Sequence, residues 1–242
     1  RRAEKLRKSL TPKSKQDSVK KMNRFERQAH RLGIKHEAVM LESGGKKEWR
    51  FQTSDAWSSV EEAALAHYKK DGWAGAAAEG GLMLTLIKAA SFAKLDGRNA
   101  DTFTEALYAQ NVAFEEDRFD TNQLIETLAR ATQDQLERNW KIISKTAGVS
   151  PAFYPSVRWQ HVIGLFEHLS PQRLAQIAKL FAKAPYDLRA GWPDLTLWKD
   201  DVVRFVEVKA PGDSMHASQS RLISTILLPL EFKVSLAEVR AK

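Results

Sequence analysis

The chain has 242 residues, 43% of them hydrophobic and 28% charged, with a formal net charge of +8. That length can bury one large core or two smaller ones. It has no cysteine, which excludes disulfides, thiolate nucleophiles and cysteine-based zinc sites and suits a reducing, intracellular compartment. No apolar run is long enough to span a bilayer and no signal-peptide pattern opens the chain, so no membrane partner is expected. The charge is uneven: residues 1–50 carry 16 Lys/Arg against 6 Asp/Glu, and the remainder 22 against 24. A basic front on a near-neutral body fits a polyanionic partner, although solubility alone also accounts for it.

Residues 1–13 read as a Lys/Arg-rich arm, and the opening Arg1-Arg2 without a methionine fits a piece or processed product of something longer. From Ser14 to Leu32 the apolar residues Val19, Met22, Phe25, Ala29 and Leu32 recur at three- and four-residue steps, which predicts an amphipathic helix. Lys20, Arg24, Arg27 and Arg31 form a parallel stripe that can follow a phosphate backbone or simply be solvated. Short strands are expected over 36–41 and 48–53 around Gly44-Gly45, with Lys46, Lys47 and Arg50 making that hairpin basic too. Ser58-Ser59 can cap a helix from Val60 to Asp71, stopped by Gly72. Glu61 in its first turn reads as a partner of the helix dipole. Glu79 lies between the small residues Gly75-Ala76-Ala77-Ala78 and Gly80-Gly81, ahead of an apolar helix over 82–95. Backbone can approach a ligand closely there, which makes Glu79 a candidate site acid; a helix-start carboxylate is the other reading.

Residues 99–184 read as a run of helices starting near Asp101, Thr121, Asp134, Ser156 and Ser170-Pro171, without a repeat period or a cluster of reactive side chains. After Tyr186 to Ala190 comes the most informative stretch. Gly191-Trp192-Pro193-Asp194-Leu195-Thr196-Leu197-Trp198, a polar turn at Lys199-Asp200-Asp201, and Val202 to Lys209 predict an antiparallel hairpin. Alternation puts Glu207 and Lys209 on one face and Val206 and Val208 on the other. Asp194 stands where the first strand begins, so two carboxylates and an ammonium meet at one end of the hairpin. A turn at Ala210-Pro211-Gly212-Asp213 leads into a helix over 214–228, whose Gln219 is the polar residue nearest those carboxylates. A strand over 232–239 closes the chain.

Several familiar sites are absent. His36-Glu37-Ala38-Val39-Met40 has a methionine where a zincin needs its second histidine, and the glycines of 75–81 lack the Gly-Lys-Ser/Thr of a P-loop. Glu-x-Lys alone is a cheap pattern, since Glu231-Phe232-Lys233 repeats it without an acid on a partner strand. Asp194, Glu207 and Lys209 differ in their hydrophobic, antiparallel context. Hard cations such as Mg²⁺ or Mn²⁺ take oxygen ligands and leave positions for water and phosphate. Two carboxylates and a backbone carbonyl give a partial cage, and a lysine beside it can orient water or balance charge. Charges solvated at a sheet edge are the alternative on pattern alone.

Gly191-Trp192-Pro193-Asp194-Leu195 with Val206-Glu207-Val208-Lys209-Ala210-Pro211-Gly212-Asp213 and Gln219 resembles the VRR-NUC branch of the PD-(D/E)xK nucleases. Ser59-Val60-Glu61-Glu62-Ala63-Ala64-Leu65-Ala66-His67-Tyr68 and Glu79-Gly80 resemble its Fanconi-associated nucleases, structure-specific 5′-flap endonucleases with 5′→3′ exonuclease activity. The resemblance covers 58–96 and 186–220 well and the helical middle loosely. It implies Glu79, Asp194, Glu207 and the Val208 carbonyl as ligands of Mg²⁺ or Mn²⁺, and Lys209 as the catalytic lysine. Asp213 and Gln219 match positions beside the site, and Arg189 a basic position that approaches the DNA backbone.

The fold expected is mixed α/β: a restriction-endonuclease-like (PD-(D/E)xK) core with a large helical insert and a basic N-terminal segment. Residues 1–55 would be a DNA-binding helix and hairpin, using Arg24, Arg27, Arg31, Lys46 and Lys47 alongside Arg189 and Gln219. Residues 56–184 would contribute Glu79, and 185–242 the catalytic core. The leading function is metal-dependent hydrolysis of branched or flapped DNA in repair, with repair-protein partners held through regions outside this chain. It would act in the cytoplasm or nucleoid of a bacterium, or in a eukaryotic nucleus. The alternatives are a VRR-type Holliday-junction resolvase and a non-catalytic DNA-binding module.

Overall fold

The computed structural model describes residues 22–45, 47–91, 121–144 and 156–242. The basic arm over 1–13, Val19, Lys20, Lys46, the end of the apolar helix over 92–95 and the helix start at Asp101 lie outside the described residues. Six strands form one mixed sheet: β1 (Lys35–Gly45), β2 (Glu48–Arg50), β3 (Ala74–Ala77), β4 (Leu195–Lys199), β5 (Val202–Lys209) and β6 (Lys233–Ala241). Their spatial order is β2-β1-β6-β5-β4-β3. β6 runs parallel to both β1 and β5, and the other neighbours are antiparallel. The sheet thus draws strands from all three segments expected from the sequence.

Alternation along β5 explains why the sheet is covered on both sides. Val206 and Val208 pack with Val39, Leu195, Leu197 and Val239 under helix α2 (Val60–Lys70). Val203 and Phe205 face the other way, into a larger cluster that holds most of the remaining helices. Each such buried side chain stabilises the fold by about 1.5–3 kcal/mol. At the centre of that cluster, α3 (Gly81–Ser91) is buried on nearly every side, which accounts for its lack of a polar face. Around it lie α4 (Thr121–Ala129), α5 (Gln133–Ile143), α6 (Trp159–His168) and α7 (Pro171–Phe181). α6 docks on the sheet through Gly164, where a Cβ would stand 2.7 Å from the Trp198 ring.

Two local expectations need correction, and one strand has no counterpart in the sequence reading. A single helix over 14–32 is not formed: Asn23 is extended and caps α1 (Arg24–Leu32), accepting from the Glu26 N–H at 2.9 Å while Glu26 accepts from the Asn23 N–H at 2.7 Å. This reciprocal cap satisfies donors that a longer helix would have used internally. Ala74-Gly75-Ala76-Ala77, small residues without a strand pattern, pairs with β4 as β3. The reason is close approach, since a Cβ on Gly75 would lie 2.4 Å from the Thr196 carbonyl oxygen. The expected helix over 214–228 begins only at Ala217 as α9 (Ala217–Leu222), then widens into a π-helical turn over Ile223–Leu227. A closed turn delays it, with Asp213 accepting from the Ala210 N–H at 2.9 Å.

β1 is joined to the sheet by more than its ladder. Glu37 accepts from the Tyr68 hydroxyl at 2.6 Å, from the Ser235 hydroxyl at 2.9 Å and from Arg204. One carboxylate therefore ties β1 to α2, β5 and β6. α1 lies on the opposite face, with Phe25 and Ala29 against Leu236. Arg24, Arg27 and Arg31 point away from that packing and are exposed.

Candidate active site

Strand register alone brings the expected acids to one end of the sheet. Leu195 pairs with Val206 across β4 and β5, and Ala77 pairs with Leu195 across β3 and β4. Residues just past β3, just before β4 and near the end of β5 therefore converge, and these are Glu79, Asp194 and Glu207. Two backbone bonds fix the first pair: the N–H groups of Ala78 and Glu79 both donate to the Asp194 carbonyl at 3.2 Å. The Asp194 carboxylate accepts from the Val208 N–H at 2.7 Å.

Two glycines let the distant sequence blocks lock together. Trp192 lies against Gly80, where a Cβ would meet its indole at 2.6 Å. The same indole donates to the Leu188 carbonyl at 3.0 Å. That carbonyl belongs to a short helix, α8 (Pro185–Leu188), that leads into the site. Gly191, at φ +88°, presses on the α9 backbone, and a Cβ there would lie 2.3 Å from the Ser218 carbonyl carbon. Glu79 itself adopts φ +44°, a left-handed conformation unusual for a residue with a side chain. Such strain is found where surrounding structure over-determines the backbone.

Glu207 is fully buried, at 0% exposure, and Lys209 is 5% exposed. The Lys209 ammonium stands 2.5 Å from one Glu207 carboxylate oxygen, and the Gln219 amide donates to the same oxygen. The Gln219 carbonyl accepts from Lys209 at 3.3 Å and from the His216 N–H at 2.8 Å. Gln219 thus caps the start of α9 and holds Lys209 with its carbonyl oxygen, and holds Glu207 with its amide NH2. Burial and then the neighbouring Asp194 charge push the Glu207 carboxyl up to about 8, against the pull of Lys209. Burial pushes Asp194 up to about 6, with Glu61 and Glu79 adding repulsion and the Val208 N–H and Lys209 opposing it.

Asp194, Glu79 and Glu61 line a common cleft of about 350 Å³, with Ser59 and Ser156 on its walls. Among the described residues, no three Asp, Glu or His side chains already stand as a ligand set. The donor chemistry nonetheless fits a hard divalent cation: the second Glu207 oxygen is buried without a hydrogen-bond partner, beside a second desolvated carboxylate. Position in the first turn of α2 assigns Glu61 to the helix dipole. Its presence in the cleft is legible only from the Ser59-Val60-Glu61-Glu62 block.

The remaining candidates among the described residues are exposed. Arg189 is exposed just beyond α8, its guanidinium 4.0 Å from the Tyr186 ring centroid. Arg24, Arg27 and Arg31 lie along α1, on the sheet face that also carries α9. Lys47 is exposed in the turn at the β2 edge, the far side of the sheet from β3.

Residues 131–241 match the VRR-NUC domain, a nuclease domain, in keeping with the resemblance read from the sequence. A relative from Schizosaccharomyces pombe (strain 972 / ATCC 24843), the Fanconi-associated nuclease 1 homolog, is 25% identical over 200 residues. That match spans 79% of this chain and 28% of the relative. Two solved structures share the fold, which is the restriction-endonuclease-like one expected. They are paFAN1 bound to DNA with a 1-nt 5′ flap and a gap (TM-score 0.62, 21% identity) and with a 2-nt 5′ flap and a gap (TM-score 0.58, 19% identity). Each is covered over 45% of its length by 94% of this chain.

Proposed function

We propose that this chain is a metal-dependent DNA nuclease that hydrolyses phosphodiesters of branched DNA in repair, a reading supported by the match of residues 131–241 to the VRR-NUC domain. Its preferred substrate on this reading carries a 5′ flap, with 5′→3′ exonuclease activity as a second mode, and it works inside the cell. The observation that carries the proposal is the buried Glu207, with one oxygen held by Lys209 and Gln219 and the other unpartnered. That second oxygen, buried beside Asp194, is satisfied by a proton or by a cation. The flapped DNA in the paFAN1 structures supports the choice of substrate.

Asp194, Glu207, Glu79 and the Val208 carbonyl would hold Mg²⁺ or Mn²⁺, with Glu61 across the cleft as a further oxygen donor. Such an ion, when bound, polarises phosphate oxygens and makes water a better nucleophile. The protein's own part is positional and electrostatic. Lys209 sets a positive charge beside the reacting phosphate, where negative charge grows during in-line attack, and it can also orient the attacking water. Gln219 holds that ammonium and Glu207 in one arrangement, so neither has to reorganise when the substrate arrives. Water attack in line would leave a 5′-phosphate.

The test is incubation of labelled flapped and four-way-junction DNA with Mn²⁺, using wild type beside Lys209→Ala. Cleavage of the flap by wild type, abolished in the variant and in chelator, is the expected result. Symmetric cutting of the junction alone would favour the resolvase, and binding without cleavage the non-catalytic module.

A further inference from the structure

Tyr186 is the most exposed large apolar side chain among the described residues, at 67%. The fold does not need it. α8 is anchored instead by the buried Leu188, by the Trp192 bond to the Leu188 carbonyl and by Asp187 paired with Arg221 of α9 at 3.3 Å. The exposed Trp57 provides a contrast, because its ring rests on the Gly44 backbone and carries Arg50 at 4.3 Å, so both faces are occupied. On Tyr186 the Arg189 guanidinium stands 4.0 Å from the ring centroid. At this exposure the opposite face is open to solvent. An aromatic face backed by an exposed cation is a surface on which an unpaired base can stack while the cation meets its phosphate.

Its position gives that surface a use. Tyr186 precedes Asp194 by eight residues, so the two cannot be more than about 28 Å apart along even a fully extended chain. The connection is held on both sides, by Trp192 on Gly80 and by Gly191 on the α9 backbone. The backbone of α8 that carries the ring is therefore held against the segment that carries Asp194. A duplex hides its base faces in the stack, whereas an unpaired nucleotide offers one.

We propose that Tyr186, steadied by Arg189, is a stacking platform for the base of an unpaired nucleotide next to the phosphodiester to be cut, and so a determinant of preference for branched over continuous duplex DNA. This rests on the nuclease reading above and adds a specificity-determining residue to it.

The test compares wild type, Tyr186→Ala and Tyr186→Phe for binding, in chelator, to blunt duplex and to the same duplex with an unpaired arm containing 2-aminopurine. Cleavage by wild type in Mn²⁺ is followed in parallel. Tyr186→Ala is expected to weaken binding of the armed DNA about fivefold or more, the scale of removing one base–aromatic stack. It should leave blunt duplex binding unchanged and restore 2-aminopurine fluorescence, while Tyr186→Phe behaves as wild type. Equal affinity of Tyr186→Ala for the armed DNA, equal weakening on both DNAs, or a failure of phenylalanine to rescue would each overturn the platform. If wild type still cleaves in those cases, the nuclease reading stands without it. Absence of both binding and cleavage in wild type would sink the two together.

Discussion

The carboxyl pair at the end of the sheet makes metal binding strongly dependent on pH. Glu207 is pushed up to about 8 and Asp194 to about 6, so in the metal-free protein both compete with protons for any cation. From these values the fraction of molecules with both groups ionised rises about a hundredfold between about pH 6 and about pH 8. Apparent cation affinity should rise by the same factor, equivalent to about 2.7 kcal/mol. For a chain of this size that corresponds to roughly 5–10 °C more stabilisation by Mg²⁺ or Mn²⁺ at the higher pH. Without metal the sign reverses. Both folded pKa values lie above the unfolded ones, so the folded state holds the extra protons and stability falls as pH rises from about 4 to about 8. Thermal melts across that range, with and without the cation, read both slopes. A metal-induced rise that is the same at either pH, or that survives in Asp194→Ala, would refute the reasoning.

Other expectations can be checked by single substitutions. Gly191→Ala should cost about 2–4 kcal/mol in urea titration, because its Cβ meets α9 backbone at 2.3 Å and not a side chain that could swing aside. An unchanged midpoint would show that the α9 start yields freely. Gln219→Ala should lower turnover while leaving DNA affinity intact, since its amide is committed to Glu207, Lys209 and His216; the opposite pattern would return Gln219 to the DNA-binding role expected from the sequence. Neutralising Arg24, Arg27 and Arg31 together should flatten the dependence of log affinity on log salt by about 0.9 for each phosphate no longer neutralised. An unaltered slope would mean that the stripe is only solvated.

The hairpin is readable from sequence because its physics is local. β-branched alternation names the faces of β5, and a proline and an aspartate mark where β4 starts. Helical spacing places Gln219 near the acids but does not reveal its double grip, which depends on the Ala210–Asp213 turn delaying α9. β3 escapes such a reading because Ala and Gly have no strand preference of their own; only the open edge of β4 and the room left by Gly75 make a strand there. Glu61 misleads for a related reason. Acids in a first helical turn are usually explained by the dipole, and only the placement of α2 beside the cleft gives this one a second role. The break at Asn23 is masked by apolar spacing that continues unchanged across the cap.

The parallel pairing of β1 with β6 has a practical consequence for anyone dissecting this protein. Seven residue pairs, from Lys35↔Ser235 to Leu41↔Ala241, seal one long side of the innermost catalytic strands. Cutting away the basic front to ask what it contributes would unzip that seam and leave β6 with a bare row of amides, a template for sticking to other chains. An inactive truncation would report self-association as readily as a missing grip on DNA. The front has to be questioned by charge reversal on an intact chain.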